Sequence, residues 1–214
     1  MGIIRKNRTE IQTREIRAGN PVLAVVIAGF GYSLDQPHLY YLIKSLTSSG
    51  ADVLGLDYSY AADPEFMGLP EAEQDLRFEE DNRQVIPYVE NRGADYDRVV
   101  LIGKSLGTSV ARRFFPLDVL REKRRFVFLT PGTEWSGMIP EIAGMSEEFL
   151  IIGSLEDRHF TAGNREPLRG SSRIKMLEFT KGNHSLETGD LRKDLEITAT
   201  VVESIRDFVF QGLK

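Results

Sequence analysis

The sequence predicts an α/β fold in a single domain: a mostly parallel sheet flanked by helices. Three observations predict it. Apolar runs rich in Val, Ile, Leu and Phe recur along the chain, and several of them do not alternate with polar residues, as expected of strands buried on both faces. Amphipathic segments of helical period separate these runs, which implies βαβ units with right-handed crossovers. The chain has 214 residues without an internal repeat or a Pro/Gly/Ser-rich linker, so residues 1–214 read as one domain.

The six runs are residues 21–28, 52–57, 98–103, 125–130, 148–153 and 173–179, and the loose alternation of 1–17 adds one or two edge strands. Helices are expected at 37–48, where Leu39, Leu42, Ile43 and Leu46 share a face, and at 71–90, with Leu76, Val85, Ile86 and Val89 inward. Pro87 should kink or break the second of these. Two more are expected at 105–115 and 194–211.

Composition excludes several classes of function. With 27 Lys and Arg against 32 Asp and Glu, the net charge is −5, which disfavours nucleic acid and anionic membranes as partners. Cysteine is absent, so disulfides, thiolate metal sites and a cysteine nucleophile are ruled out. No apolar run is long enough to span a bilayer, and the first residues lack the apolar stretch of a secretory leader, so the expectation is a cytoplasmic protein. The basic run 121–125, with Arg112 and Arg113 nearby, reads as a solvated helix end.

In an open parallel sheet, ligands bind beyond the carboxyl ends of the strands. There the chain places Ala28-Gly29-Phe30-Gly31, then Gly103-Lys104-Ser105-Leu106-Gly107, then Glu156-Asp157, and last Asn183-His184. The second segment is a G-x-S-x-G pentapeptide between an apolar strand and a helical segment. That context suits a sharp turn that lifts the serine hydroxyl above the sheet. The flanking glycines leave room where a side chain would collide, and the Leu106 N–H points toward charge developing at the serine. The Gly-Lys-Ser letters do not make a phosphate loop, because Arg98 stands where its first glycine is required. Leu34 likewise occupies the third glycine position of a dinucleotide-binding turn. No metal-ligand spacing is present.

From about residue 21 onward the arrangement resembles the α/β-hydrolase family of serine hydrolases, in its small form without a lid domain. The resemblance implies Ser105 as nucleophile, Asp157 as acid and His184 as base, in the family's chain order. It also implies an oxyanion hole formed by the backbone N–H groups of Phe30 and Leu106, although Ala28 stands where the family usually has histidine. Glu156 and Asp57 are rival acids, whereas His159 stands too close to Asp157 in sequence to serve as its base.

His38, at the start of a helix beside the oxyanion loop, is a candidate for the pocket wall or for a structural role. Trp135 and Met138, in the short connection 131–147, either shape the substrate pocket or cap the core beneath that loop. The implied activity is cleavage of a small carboxylic ester or thioester through an acyl-enzyme, without cofactor or metal. The partner would be a small-molecule acyl substrate. The alternative is the same scaffold used as a non-catalytic binding module.

Overall fold

Among the described residues eight strands form one sheet in the order β1-β2-β4-β3-β5-β6-β7-β8. They are β1 (Gly2–Lys6), β2 (Thr9–Ile16), β3 (Val22–Ile27), β4 (Asp52–Asp57), β5 (Arg98–Lys104), β6 (Arg124–Leu129), β7 (Phe149–Ser154) and β8 (Ile174–Phe179). This computed structural model describes residues 2–6, 9–19, 21–118 and 120–213, with only the backbone for 2–6, 9 and 10. β3 to β8 are parallel, and β2 alone runs against both of its neighbours. β1 and β2 are the edge strands expected within 1–17, although residues 1, 7 and 8 of that stretch lie outside the described residues.

The helices are α1 (Pro37–Ser48), α2 (Pro64–Met67), α3 (Glu71–Gly93), α4 (Leu106–Arg112), α5 (Trp135–Gly144), α6 (Ala162–Arg165) and α7 (Leu191–Phe210). They cover both sheet faces. Within β3, Leu23, Val25 and Ile27 turn toward the core under α3, α4 and α5, while Val22, Ala24 and Val26 turn toward the core under α1 and α7. Strand side chains alternate between faces, so a strand covered on both sides must be apolar throughout, and every residue of β3 and β7 is buried.

Three expectations are corrected. Helix α3 runs through Pro87 without a break. The carbonyl left without its usual N–H belongs to Arg83, four residues earlier, and both residues lie on the exposed face of the helix, where losing that bond costs least. Leu76 is 66% exposed rather than inward. The buried stripe of α3 is Phe78, Asp81, Asn82, Val85 and Val89, and Leu76 lies about 200° around the helix from Phe78. Asp81 and Asn82 are tolerated there because they accept hydrogen bonds from the Tyr60 and Tyr58 hydroxyls.

The basic run 121–125 is not a solvated helix end. It leads into β6, and the Arg124 side chain is only 1% exposed. Its guanidinium donates to Glu147 and to the carbonyls of Phe114, Phe115 and Leu117. That full set of partners offsets the cost of taking the charge out of water.

Candidate active site

The turn after β5 is forced by two glycines. A Cβ on Gly103 would stand 2.4 Å from the Gly107 carbonyl oxygen, and a Cβ on Gly107 would stand 2.3 Å from the Ile27 carbonyl oxygen. Between them Ser105 adopts φ 52°, ψ −113°, a conformation that a non-glycine residue holds at a cost of about 1–3 kcal/mol. Its N–H donates to the Leu129 carbonyl, and its own carbonyl accepts from the N–H and hydroxyl of Thr108. The elbow is therefore fixed by bonds on both sides.

His184 is carried by the connection after β8. Its Nε2 lies 2.8 Å from Ser105 Oγ, and its Nδ1 lies 2.7 Å from Asp157 Oδ2. This pattern assigns Nδ1–H as donor to the carboxylate and leaves Nε2 to accept the serine proton. Asp157, beyond β7, has a fully buried carboxylate whose other oxygen accepts from the His159 N–H. Burial pushes this carboxyl up, but the His184 bond and the His159 N–H prevail and hold it below its ordinary range. Glu156 turns elsewhere and accepts from the Gly182 N–H, which ties down the histidine loop. Asp57 accepts from Leu34 and Ser59. Among the described residues, no cluster of His, Asp and Glu is arranged to hold a metal ion.

The loop after β3 closes over the elbow, and a Cβ on Gly29 would stand 3.3 Å from the Ser105 Cβ. The Gly29 N–H donates to the Tyr32 carbonyl, making a tight turn that carries Phe30. Among the described residues the N–H groups of Phe30 and Leu106 make no hydrogen bond. The Phe30 ring is part-exposed and rests on Tyr60 and Phe66, which stack with centroids 4.1 Å apart.

No protein-family model matches the chain, and no curated protein matches it. Solved structures do. Est1E from Butyrivibrio proteoclasticus, determined with ferulic acid bound, superposes with a TM-score of 0.66 at 14% identity, over 96% of this chain and 98% of that one. A proposed α/β-hydrolase of unknown function from Agrobacterium tumefaciens gives 0.70 at 15% identity, over 99% and 97%. An α/β serine hydrolase homologue from Coxiella burnetii gives 0.60 at 15% identity, over 95% of each chain. The chain has the α/β-hydrolase fold.

Within this fold Trp135, Met138 and His38 take the structural one of the two roles open to each. Trp135 and Met138 have no exposed surface and do not line a cleft. Helix α5 turns them, with Ile139 and Ile142, against β6, where the indole meets the edge of Phe128. They cap the core because the connection is too short to hold α5 away from the sheet. His38 is likewise buried, and its Nδ1 lies 2.7 Å from the Tyr32 hydroxyl, which also accepts from the His38 N–H. Burial, reinforced by the Lys104 charge and only partly offset by Asp194, pushes its imidazole down to about 4. His38 therefore acts at neutral pH as an uncharged support for Tyr32 rather than as a pocket wall.

Sequence reasoning missed Lys104, Thr130 and Gly132. A Cβ on Gly132 would stand 3.7 Å from Ser105 Oγ, so this glycine flanks the hydroxyl. The Lys104 side chain is buried, and its ammonium donates to the Thr130 hydroxyl and the His184 carbonyl. The available signal was the strand register. Lys104 is the last residue of a strand otherwise buried from Val99 onward, so a polar side chain there needs partners nearby.

Proposed function

We propose that the chain is a serine hydrolase cleaving a small carboxylic ester or thioester through an acyl-enzyme. The observation that carries this reading is the unbroken hydrogen-bond line from Asp157 through His184 to Ser105 Oγ, at 2.7 and 2.8 Å. Serine is a weak nucleophile at neutral pH and requires a base within such reach.

In the proposed reaction Ser105 Oγ attacks the carbonyl carbon while its proton passes to His184 Nε2. The N–H groups of Phe30 and Leu106 donate to the resulting oxyanion. Collapse breaks the bond to the alcohol or thiol, which leaves with the proton from His184. Water then repeats the sequence on the acyl-serine and releases the acid and the free enzyme. Asp157 keeps the imidazole in the required tautomer and offsets its transient charge.

Small or accessible acyl groups suit the site. The connection between β6 and β7 (residues 130–148) has the ten-residue α5 packed into the core, and the Phe30 ring, in the loop after β3, offers a part-exposed aromatic surface. The ferulic acid held by Est1E from Butyrivibrio makes a hydroxycinnamate ester such as methyl ferulate a worthwhile member of a test panel.

The deciding experiment is intact mass after exposure to a fluorophosphonate, on wild type, Ser105→Ala and His184→Ala. One adduct on wild type, absent from both variants, is expected. No adduct on folded wild type would refute catalysis and leave the scaffold as a binding module.

A further inference from the structure

Lys104 is an ammonium placed where water does not reach, with 1% of its surface exposed. A charge in such a place is costly unless all its donors are used, and lysine has three. One N–H is taken by the Thr130 hydroxyl and one by the His184 carbonyl at 3.0 Å, and the ammonium also lies 4.9 Å from the centre of the Tyr32 ring. These partners come from three connections, after β6, β8 and β3 respectively. Thr130 stands at φ 43° and is pinned by its own N–H to the Ile152 carbonyl. The Tyr32 carbonyl accepts from Gly29 and so closes the turn that carries Phe30.

We propose that Lys104 is a positioning residue. Its buried ammonium binds the His184 carbonyl, the Thr130 hydroxyl and the face of Tyr32, and so sets the base loop and the oxyanion loop at their distances from Ser105. The inference rests on the hydrolase reading above. It assigns Lys104 no contact with substrate.

The histidine loop is closed on itself by Asn183, which accepts from the N–H groups of Ser185, Leu186 and Glu187, but its ties to the rest of the molecule are fewer. The Gly182 N–H is held by Glu156, and Leu186 is anchored in the core with φ 62°. Between these points the carbonyl of His184 itself is held by Lys104. Removing that bond frees the imidazole to move by a fraction of its 2.8 Å contact with Ser105. A displacement of about 1 Å between reacting groups costs on the order of a hundredfold in rate. Lys104 is buried away from any surface a substrate could reach, so substrate binding should change little.

The test uses Lys104→Met, which keeps the apolar stem, and follows p-nitrophenyl acetate hydrolysis and fluorophosphonate labelling at pH 7. The expected result is a kcat lower by about 10- to 100-fold, KM within about twofold of wild type, and labelling slowed by the same factor as kcat. The urea midpoint separates this from unfolding. A folded Lys104→Met protein with wild-type kcat, or with a change confined to KM, overturns the proposal. If that variant does not fold, Thr130→Val decides, since it removes one partner and leaves the ammonium. A three- to tenfold lower kcat is expected of it, and an unchanged kcat overturns the proposal. An unlabelled, inactive wild type overturns the hydrolase reading and this inference together, whereas an active wild type with an unaffected Lys104→Met variant overturns this inference alone.

Discussion

Replacing Gly107 by alanine tests the packing of the elbow in its simplest form. The added Cβ would lie 2.3 Å from the Ile27 carbonyl oxygen and 2.9 Å from that of Ala28. Both obstacles are backbone, so no rotamer change relieves them. Restoring a tolerable contact of about 3.0 Å requires α4 and the end of β3 to separate by roughly 0.7 Å at the first oxygen. β3 is hydrogen-bonded to β4 on one side and β5 on the other, which leaves it little freedom to yield. Overpacking of this kind costs about 1–3 kcal/mol, and rigid neighbours place Gly107→Ala near the upper end. The same shift displaces the Leu106 N–H from the serine, so the proposed hydrolase activity should fall by about a hundredfold.

Gly137→Ala is the matched control. It makes the same chemical change in α5, where an added Cβ meets nothing within 4 Å, and should gain about 0.5 kcal/mol from helix propensity. Urea unfolding with a common m-value reads the difference, expected near 1 to 1.5 M between the two midpoints. A Gly107→Ala midpoint at or above wild type, or an equal loss in both variants, would refute the steric argument.

The strain at Ser105 gives a second prediction. Ser105→Ala and Ser105→Gly should both lose turnover, but at φ 52° the glycine variant should be the more stable by about 1 kcal/mol, and equal urea midpoints would count against stored strain. A third concerns His38, whose imidazole is held near 4 by burial and by the Lys104 charge. Between pH 4 and 6.5 the unfolded chain binds a proton that the folded chain refuses, so stability falls as the pH is lowered through that window, by up to about 3 kcal/mol from this group. The stability difference between wild type and His38→Gln, followed by urea unfolding from pH 7 to 4, should shrink or reverse by about that amount, and parallel profiles would exclude it.

The parts of the fold legible in the sequence are those governed by local rules. Unalternating apolar runs become strands covered on both faces, as at β3 and β7, because no other element buries such a run completely. The two glycines around Lys104-Ser105-Leu106 marked a backbone crossing that admits no Cβ, and the collision distances follow from that turn. The positions of Ser105, Asp157 and His184 after three strands put them at one end of any parallel sheet, which is where they meet.

Side-chain destination was not legible, because it depends on partners remote in sequence. Arg124 lies inside a basic run and reads as solvated, yet Glu147 and three carbonyls draw it into the core. Trp135 and Met138 fit a pocket wall or a core cap equally well until α5 is seen lying against β6. Lys104 was only a spacer letter in a motif, since its three partners lie 26, 72 and 80 residues away in the chain. The sequence by itself determined where the backbone must extend, turn and cross, since those limits are steric and local. The tertiary structure alone decided which charges could be buried, because a buried charge is stable only where distant segments converge to satisfy it.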